Sequence, residues 1–277
     1  MNKKIKSILA ILFTALSIFV LAGCGKSASA SDKTTTVKVG ITGSDNRIWD
    51  AVAKKLEKEN IKIKLVEFSD YSQPNTALDQ GQIDLNAFQT VYFMDNWNQT
   101  HHTNIVGIGD TAIAPMALYS KKITKLSELK EGDEIAVPND ATNEGRALDL
   151  LQSAGLIKLN KDKLPTKRSI VENKLNLKIS ELDAAQTARS LGDVTASVVN
   201  SGVASDAKLN PKKAVYVEKV TKASKPYVNV ISANKKDKDN PVYKKVVKAY
   251  QTDDIAKLYK KYYGDSDKPA WNYKILQ

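Results

Sequence analysis

The first apolar block in the chain is a mostly unbroken run from Ile8 to Ala22, preceded by Lys3, Lys4 and Lys6. A spanning helix needs about 20 apolar residues to cross ~30 Å of hydrocarbon, and this run stops sooner, at the small residues Ala22 and Gly23. A positive start with a short apolar core predicts a signal peptide over residues 1–23, cleaved rather than retained. Residues 25–36 (GKSASASDKTTT) are small and polar and follow no period, which predicts a flexible tether over residues 24–36. Twelve such residues have an r.m.s. reach of about 20 Å, enough to hold a folded body near a membrane face.

From Val37 the pattern changes to short apolar runs alternating with helical spacing. Val37–Ile41 reads as a strand, Arg47–Glu59 as a helix with Trp49, Val52, Ala53 and Leu56 on one face, and Ile61–Phe68 as a strand. A helix over 75–80, a strand over 83–87, a helix over 91–99 and a strand over 105–109 repeat the unit. A second series has strands over 134–138, 177–182 and 196–199 and helices over 143–154 and 184–191, the former closed by Gly155. Strands over 215–217 and 227–233 and lysine-rich helices over 241–251 and 253–263 follow. This alternation predicts an α/β fold with mainly parallel sheets and right-handed crossovers. The 241 residues from Val37 to Gln277 suffice for two lobes, read as 37–118 plus 233–277 and 119–232, with a ligand cleft between them. Lys244, Lys245, Lys248, Lys257, Lys260 and Lys261 also fit a membrane-surface reading of the last helices. Packing of Val246, Val247, Tyr250, Ile255, Leu258 and Tyr262 on the first lobe explains the pattern better.

Composition narrows the picture. The chain has one cysteine, Cys24, and it ends the segment Leu21-Ala22-Gly23-Cys24, which resembles a bacterial lipobox. One cysteine excludes an internal disulfide and a cysteine-rich metal site, and diacylation of this one gives durable membrane attachment. The formal charge is +11 for the whole chain and +8 once residues 1–23 are removed. Lysines scattered among acids, as in Lys54-Lys55-Leu56-Glu57-Lys58-Glu59, describe a solvated surface beside an anionic envelope; no motif for nucleic acid accompanies them. The lysine content and short leader point to the outer face of a Gram-positive membrane.

Catalytic apparatus is missing. The only histidines, His101 and His102, sit in the polar stretch Asn98–Asn104, read as a loop, and no G-x-S-x-G, H-E-x-x-H, Walker or calcium loop occurs. No metal and no cofactor is expected. Gly107-Ile108-Gly109-Asp110-Thr111-Ala112 matches G-x-G-x-x-A, but a dinucleotide site needs a helix to begin there. Here the chain continues extended through Ile113–Tyr119 with Pro115, so the glycines read as a turn into the crossing between lobes.

Six segments occur in an order that resembles the methionine-binding lipoprotein family, also known as MetQ or NlpA lipoproteins. They are Phe68–Asn75, Gly81–Gln89, Tyr119–Lys122, Val137–Leu148, Gly155–Ile157 and Pro226–Asn229. The similarity covers the mature chain nearly end to end. It implies a two-lobed periplasmic-binding-protein fold and delivery of an amino acid, methionine foremost, to an ABC permease with an attached ATPase. A monomer is expected, tethered to the membrane by the lipid on Cys24.

An amino-acid site needs a cationic fork, several acceptors and an apolar wall. On the resemblance, Arg146 offers a bidentate partner for the ligand carboxylate, aided by helix N-terminal amides. Asn143, Asn200 and Asn229 accept from the ammonium or donate to the carboxylate, and Tyr71 and Phe88 wall the side chain. Many relatives carry His and Tyr where this chain has Thr90 and Phe93, so Thr90 is expected at the pocket with one hydroxyl in place of an imidazole. Blander alternatives stand beside each: a surface Arg146 next to Glu144, asparagines as helix caps, Phe88 as plain core, Tyr71 as turn packing. Other functions also remain open: binding of another apolar or sulfur-containing amino acid or a Met-containing dipeptide, surface adhesion, or an exported enzyme on the same fold.

Overall fold

A computed structural model describes residues 34–264 and 266–276; the expected leader, Cys24 and most of the tether lie outside the described residues. The elements begin with β1 (Thr35–Thr42), α1 (Arg47–Leu56), β2 (Ile61–Phe68), α2 (Gln73–Asp79), β3 (Leu85–Asn86), α3 (Val91–His101) and β4 (Ile105–Ile113). Next come β5 (Ala117–Tyr119), β6 (Glu134–Pro138), α4 (Ala141–Ser153), the hydrogen-bonded pair β7 (Lys158–Leu159) and β8 (Ile170–Glu172), and β9 (Lys178–Leu182). They are followed by α5 (Ala184–Thr187), β10 (Ala196–Val199), α6 (Ser201–Asp206) and β11 (Tyr216–Val217). β12 (Val228–Asn234), α7 (Pro241–Tyr250), α8 (Asp253–Tyr263) and β13 (Lys268–Pro269) complete the series.

Two mixed sheets organise these elements into two lobes. The first has the order β13-β4-β12-β3-β1-β2 and the second β11-β5-β10-β6-β9. Within each, three adjacent strands are parallel (β3, β1, β2 and β10, β6, β9), as βαβ units require. The remaining strands run antiparallel, so the sheets are less parallel than the sequence suggests. They include β4, β5, β11 and β12, which enter or leave the two passages between sheets at 114–116 and 218–227.

β12 hydrogen-bonds to β3 and β4 and so belongs to the first sheet, whereas the sequence reading grouped residues up to 232 with the second lobe. An apolar run shows that a strand is buried and is silent about which partners bury it. Thr35 and Thr36, read as tether, pair with Ile61 and Lys62 as the start of β1.

Each sheet carries its own core. In the first, Val39, Val52, Leu56, Leu85, Ile231, Val246 and Ile255 are buried together, with Val247, Leu258 and Tyr262 packed against them. Trp49 on α1 meets Tyr250 on α7 at 5.1 Å between ring centroids. The apolar faces of α7 and α8 are therefore covered by the first lobe, not offered to a membrane, and among the described residues no helix is long and apolar enough to cross one. In the second lobe Leu118, Ile135, Val137, Leu148, Leu151, Ala196 and Val198 form the core. Gly107 and Gly109 lie inside β4, short of the passage they were expected to turn. A Cβ at Gly109 would stand 2.5 Å from a Val247 methyl, so glycine there lets α7 lie close on the strand.

Candidate functional site

Where the two passages meet the lobes, a cavity of about 200 Å³ opens between the sheets, and Tyr71, Phe88, Thr90, Asn143, Arg146, Asn200 and Asn229 all line it. These residues come from five different segments of chain. A wider cleft of about 780 Å³ continues from it, sharing Tyr71 and Phe93 and lined further out by Trp97, His101 and Asp140. His101 belongs to α3 rather than to a loop, because its ring stacks on Trp97 one turn earlier at 3.7 Å. Among the described residues no group of three or more His, Cys, Asp or Glu side chains is placed to hold a metal ion.

The polar wall is built around the start of α4. Asp140, extended, caps the helix by accepting from the Asn143 N–H at 3.0 Å and from the Thr142 hydroxyl at 3.0 Å. Burial raises the Asp140 carboxyl above its ordinary value, against the pull of these donors. The Asn143 amide, which the family resemblance would aim at a ligand carboxylate, is thereby occupied. Its side-chain Nδ2 donates to Asp140 as well, and its Oδ1 accepts from Asn200 Nδ2 at 2.9 Å. Asn200 precedes α6 yet makes no side-chain cap. Its Oδ1 is buried and has no hydrogen-bond partner.

Arg146 is no surface residue, at 4% side-chain exposure. Its Nε and Nη2 donate to the two carboxylate oxygens of Glu218 at 3.0 and 2.6 Å, and Nη2 also to the Ala114 carbonyl at 3.0 Å. The guanidinium lies over the Tyr227 ring at 4.4 Å. The fork expected for a ligand carboxylate is thus filled by Glu218, and Arg146 ties together Ala114 on one passage and Glu218 and Tyr227 on the other. Among the described residues only Nη1 of the three guanidinium nitrogens is without a hydrogen-bond partner. Sequence reasoning missed Glu218 because nothing local marks a lone glutamate 72 positions away as a partner.

The apolar wall is an aromatic cluster. Tyr71 and Phe88 lie 5.9 Å apart, and Phe93 meets Phe88 edge-on at 5.8 Å and Tyr71 at 6.2 Å. Such tilted and edge-on pairs suit the ring quadrupoles. Phe88 is therefore part of the wall and not simply core. Asp70 fixes the approach to α2 by accepting from the Ser72 and Gln73 N–H groups at 2.8 and 2.9 Å, which sets Tyr71 toward the cavity side of that turn. Thr90 bridges to Asn229 and caps α3, its Oγ1 accepting from the Phe93 N–H at 3.1 Å. Thr90→Ala should lower stability by about 1 kcal/mol through the lost cap, measured as a shifted urea midpoint at unchanged slope. An imidazole at 90 should cost stability for the same reason while altering ligand selectivity.

Below this wall the marker segments Pro74-Asn75 and Asn86–Gln89 meet in a buried amide network. Asn75 and Gln89 exchange hydrogen bonds at 2.7 and 2.8 Å, Asn86 donates to Asn75 at 2.9 Å, and Gln89 donates to Asn86 at 3.1 Å and to Ser232 at 3.3 Å. Asn75, Asn86 and Ser232 are 0% exposed, so no water competes. The network clamps the segment carrying Phe88 and Thr90 against α2 and β12. Other groups on the cavity wall were also missed: Asp267 just before β13, Ser201, and the tyrosines 250, 259 and 263. Their positions in sequence carry no signal of it.

Comparison with known proteins bears on what such a cavity holds. A family model described as NlpA lipoprotein matches residues 37–271. The probable D-methionine-binding lipoprotein MetQ of Vibrio cholerae is 43% identical over 93% of this chain and 95% of its own. The crystal structure of the substrate-binding protein of a methionine transporter from Streptococcus pneumoniae superposes with a TM-score of 0.82 at 45% identity, covering 85% of this chain and 96% of that one. A nutrient-binding protein from Burkholderia cenocepacia, solved bound to methionine, gives 0.80 at 44% identity over 84% and 99%.

Proposed function

The chain belongs to the NlpA lipoprotein family, and from that premise we propose that it binds methionine between its lobes and hands it to an ABC permease driven by an attached ATPase. It is a substrate-binding protein and not an enzyme. The observation that carries the ligand reading is Asn200 Oδ1, a buried acceptor without a partner on the wall of a cavity that also holds Asn143, Arg146 and Asn229. A buried acceptor left unpaired costs about 1–3 kcal/mol, and a ligand ammonium supplies the missing donor. Arg146 Nη1 and the second amide proton of Asn229, whose Nδ2 also donates to the Ala112 carbonyl at 3.3 Å, are then the groups at hand for the carboxylate. Tyr71, Phe88 and Phe93 offer an apolar face to a thioether, and sulfur against aromatic edges is favourable. The all-carbon ring of Phe93 also favours larger apolar amino acids as secondary ligands.

Calorimetric titration of the body from residue 34 onward with both enantiomers of methionine, other apolar amino acids and Met-containing dipeptides tests this. Methionine is expected to bind, and silence toward every ligand in the panel would overturn the reading. At a hundredfold excess over its dissociation constant a ligand of the folded form adds about 2.7 kcal/mol of stability, so the melting temperature should rise with methionine concentration. The rise is expected to accompany a smaller radius of gyration, with the lobes (35–113 plus 228–276, and 117–217) closing about 114–116 and 218–227.

The working place in this proposal is the outer face of a cell membrane, of the Gram-positive kind on its lysine-rich composition, with a monomer held by lipid on Cys24. Cys24→Ser should leave the fold intact and release the protein into the soluble fraction. A serine variant that still needs detergent for extraction would argue against the anchor.

A further inference from the structure

Helix α6 is short, exposed on one side, and joined to the opposite lobe at both ends. It follows β10 of the second sheet and packs there through Ala204, buried with Ala117, Tyr119 and Val199. At its first residue the Ser201 hydroxyl donates to Asp267 Oδ1 at 2.6 Å, and Asp267 precedes β13 of the first sheet. At its last residue Asp206 Oδ1 accepts from the Ser44 N–H and hydroxyl, both at 3.1 Å, and Ser44 follows β1 of the first sheet. The Ser44 turn reaches Asp206 through Gly43, whose φ is +82° and where a Cβ would stand 2.3 Å from Asp206 Oδ2. Glycine is required there both for the left-handed backbone and for the close approach. Directly before the helix stands Asn200, with its unpartnered Oδ1 on the cavity wall.

We propose that Asp267 and Ser44 are positioning residues that staple α6 across the cleft and so hold Asn200 against the ligand in the closed form. The inference rests on reading the cavity as an amino-acid site. Asp267 and Ser201 line the same cavity, and in this proposal each staple acts through the helix that follows Asn200. The two are unequal. The Ser201–Asp267 bond is partly buried, and burial holds the Asp267 carboxyl above its ordinary value against the donor from Ser201. The Ser44–Asp206 bonds are exposed to solvent, where water competes for both partners. Opening the lobes separates both pairs, so the staples stabilise the closed form alone.

The test compares the parent with Ser201→Ala, Asp267→Ala, Asp267→Asn and the Ser201→Ala/Asp267→Ala double variant, by methionine affinity, dissociation rate and ligand-free melting temperature. Loss of one hydrogen bond to a charged acceptor should weaken binding roughly tenfold, mostly through faster dissociation. The double variant should be no weaker than either single one, because they share one bond. Asp267→Asn should stay within roughly threefold of the parent, since its amide oxygen still accepts from Ser201. Ligand-free melting should be unchanged, because the open form lacks the contact. Asp267→Asn as weak as Asp267→Ala beside a Ser201→Ala of parental affinity would overturn the proposal, since the carboxylate would then act by its charge on the ligand. A fall in ligand-free melting temperature equal to that of the complex would also overturn it, as an ordinary packing role. If the parent binds methionine and all variants match it, only this inference fails; if the parent binds no amino acid or dipeptide, the reading of the site fails and this one with it.

Discussion

Arg146→Ala is expected to abolish methionine binding and to destabilise the ligand-free protein. The guanidinium is 4% exposed and Glu218 only 16%, and truncation leaves that carboxylate facing the Ala114 carbonyl with no cation between them. Breaking a buried pair in this way costs about 3 kcal/mol, and the tie between the two passages goes with it. Loss of ligand binding has a separate cause, removal of the cation that, among the described residues, lines the cavity with a nitrogen left over. Glu218→Gln separates the two effects. The amide still accepts one hydrogen bond, so the stability cost should be smaller, and with Arg146 intact methionine should still bind. Urea melts with and without methionine, read beside calorimetry, decide the matter. An Arg146→Ala variant that binds methionine as tightly as the parent would show that the residue serves the passages alone.

Gln89→Leu should be the second most damaging single change at the site, although Gln89 is not proposed to meet the ligand. Its side chain is 2% exposed and accepts from Asn75 while donating to Asn75, Asn86 and Ser232. Leucine fills a similar volume but leaves Asn75 Nδ2 and Asn86 Oδ1 without their partners, at about 1–3 kcal/mol for each orphaned group. Because the network holds the segment between Asn86 and Thr90, the aromatic wall should loosen too. The expected result is a melting temperature lowered with and without ligand, and weaker methionine binding that a second change, Asn75→Leu, does not worsen additively. Full additivity of the two substitutions would mean that the amides act independently and not as one network.

The resemblance that pointed to this family was carried partly by these residues. Pro74-Asn75 and Asn86–Gln89 were legible as markers, yet their role inside the molecule was not, since a sequence shows that amides recur and not that they bond to one another. The same limit applies to Arg146. Its place near the start of a helix was readable, and that it reaches the cavity was implied by the family pattern. Its engagement with Glu218 needed the passage at 218–227 to be laid beside the one at 114–116.

What the sequence determined by itself is local or periodic. β2 (Ile61–Phe68), β6 (Glu134–Pro138), β10 (Ala196–Val199) and α8 (Asp253–Tyr263) stand at the bounds that alternation, short apolar runs and amphipathic spacing predict. Backbone hydrogen bonding together with burial, one-sided in β2 and α8 and two-sided in β6 and β10, imposes those patterns on the residues themselves. The α/β class and the covered faces of α7 and α8 follow from the same source. Tertiary structure alone decided which sheet receives β12, that β1 begins at Thr35, that His101 ends a helix, and which carboxylates face the cavity. Each of these depends on a partner remote in sequence. Asp267 meets Ser201 across 66 residues, and Glu218 meets Arg146 across 72. The pairing free energy of such groups is set by distance, burial and competing partners in the folded chain, and none of these is written at either position taken alone.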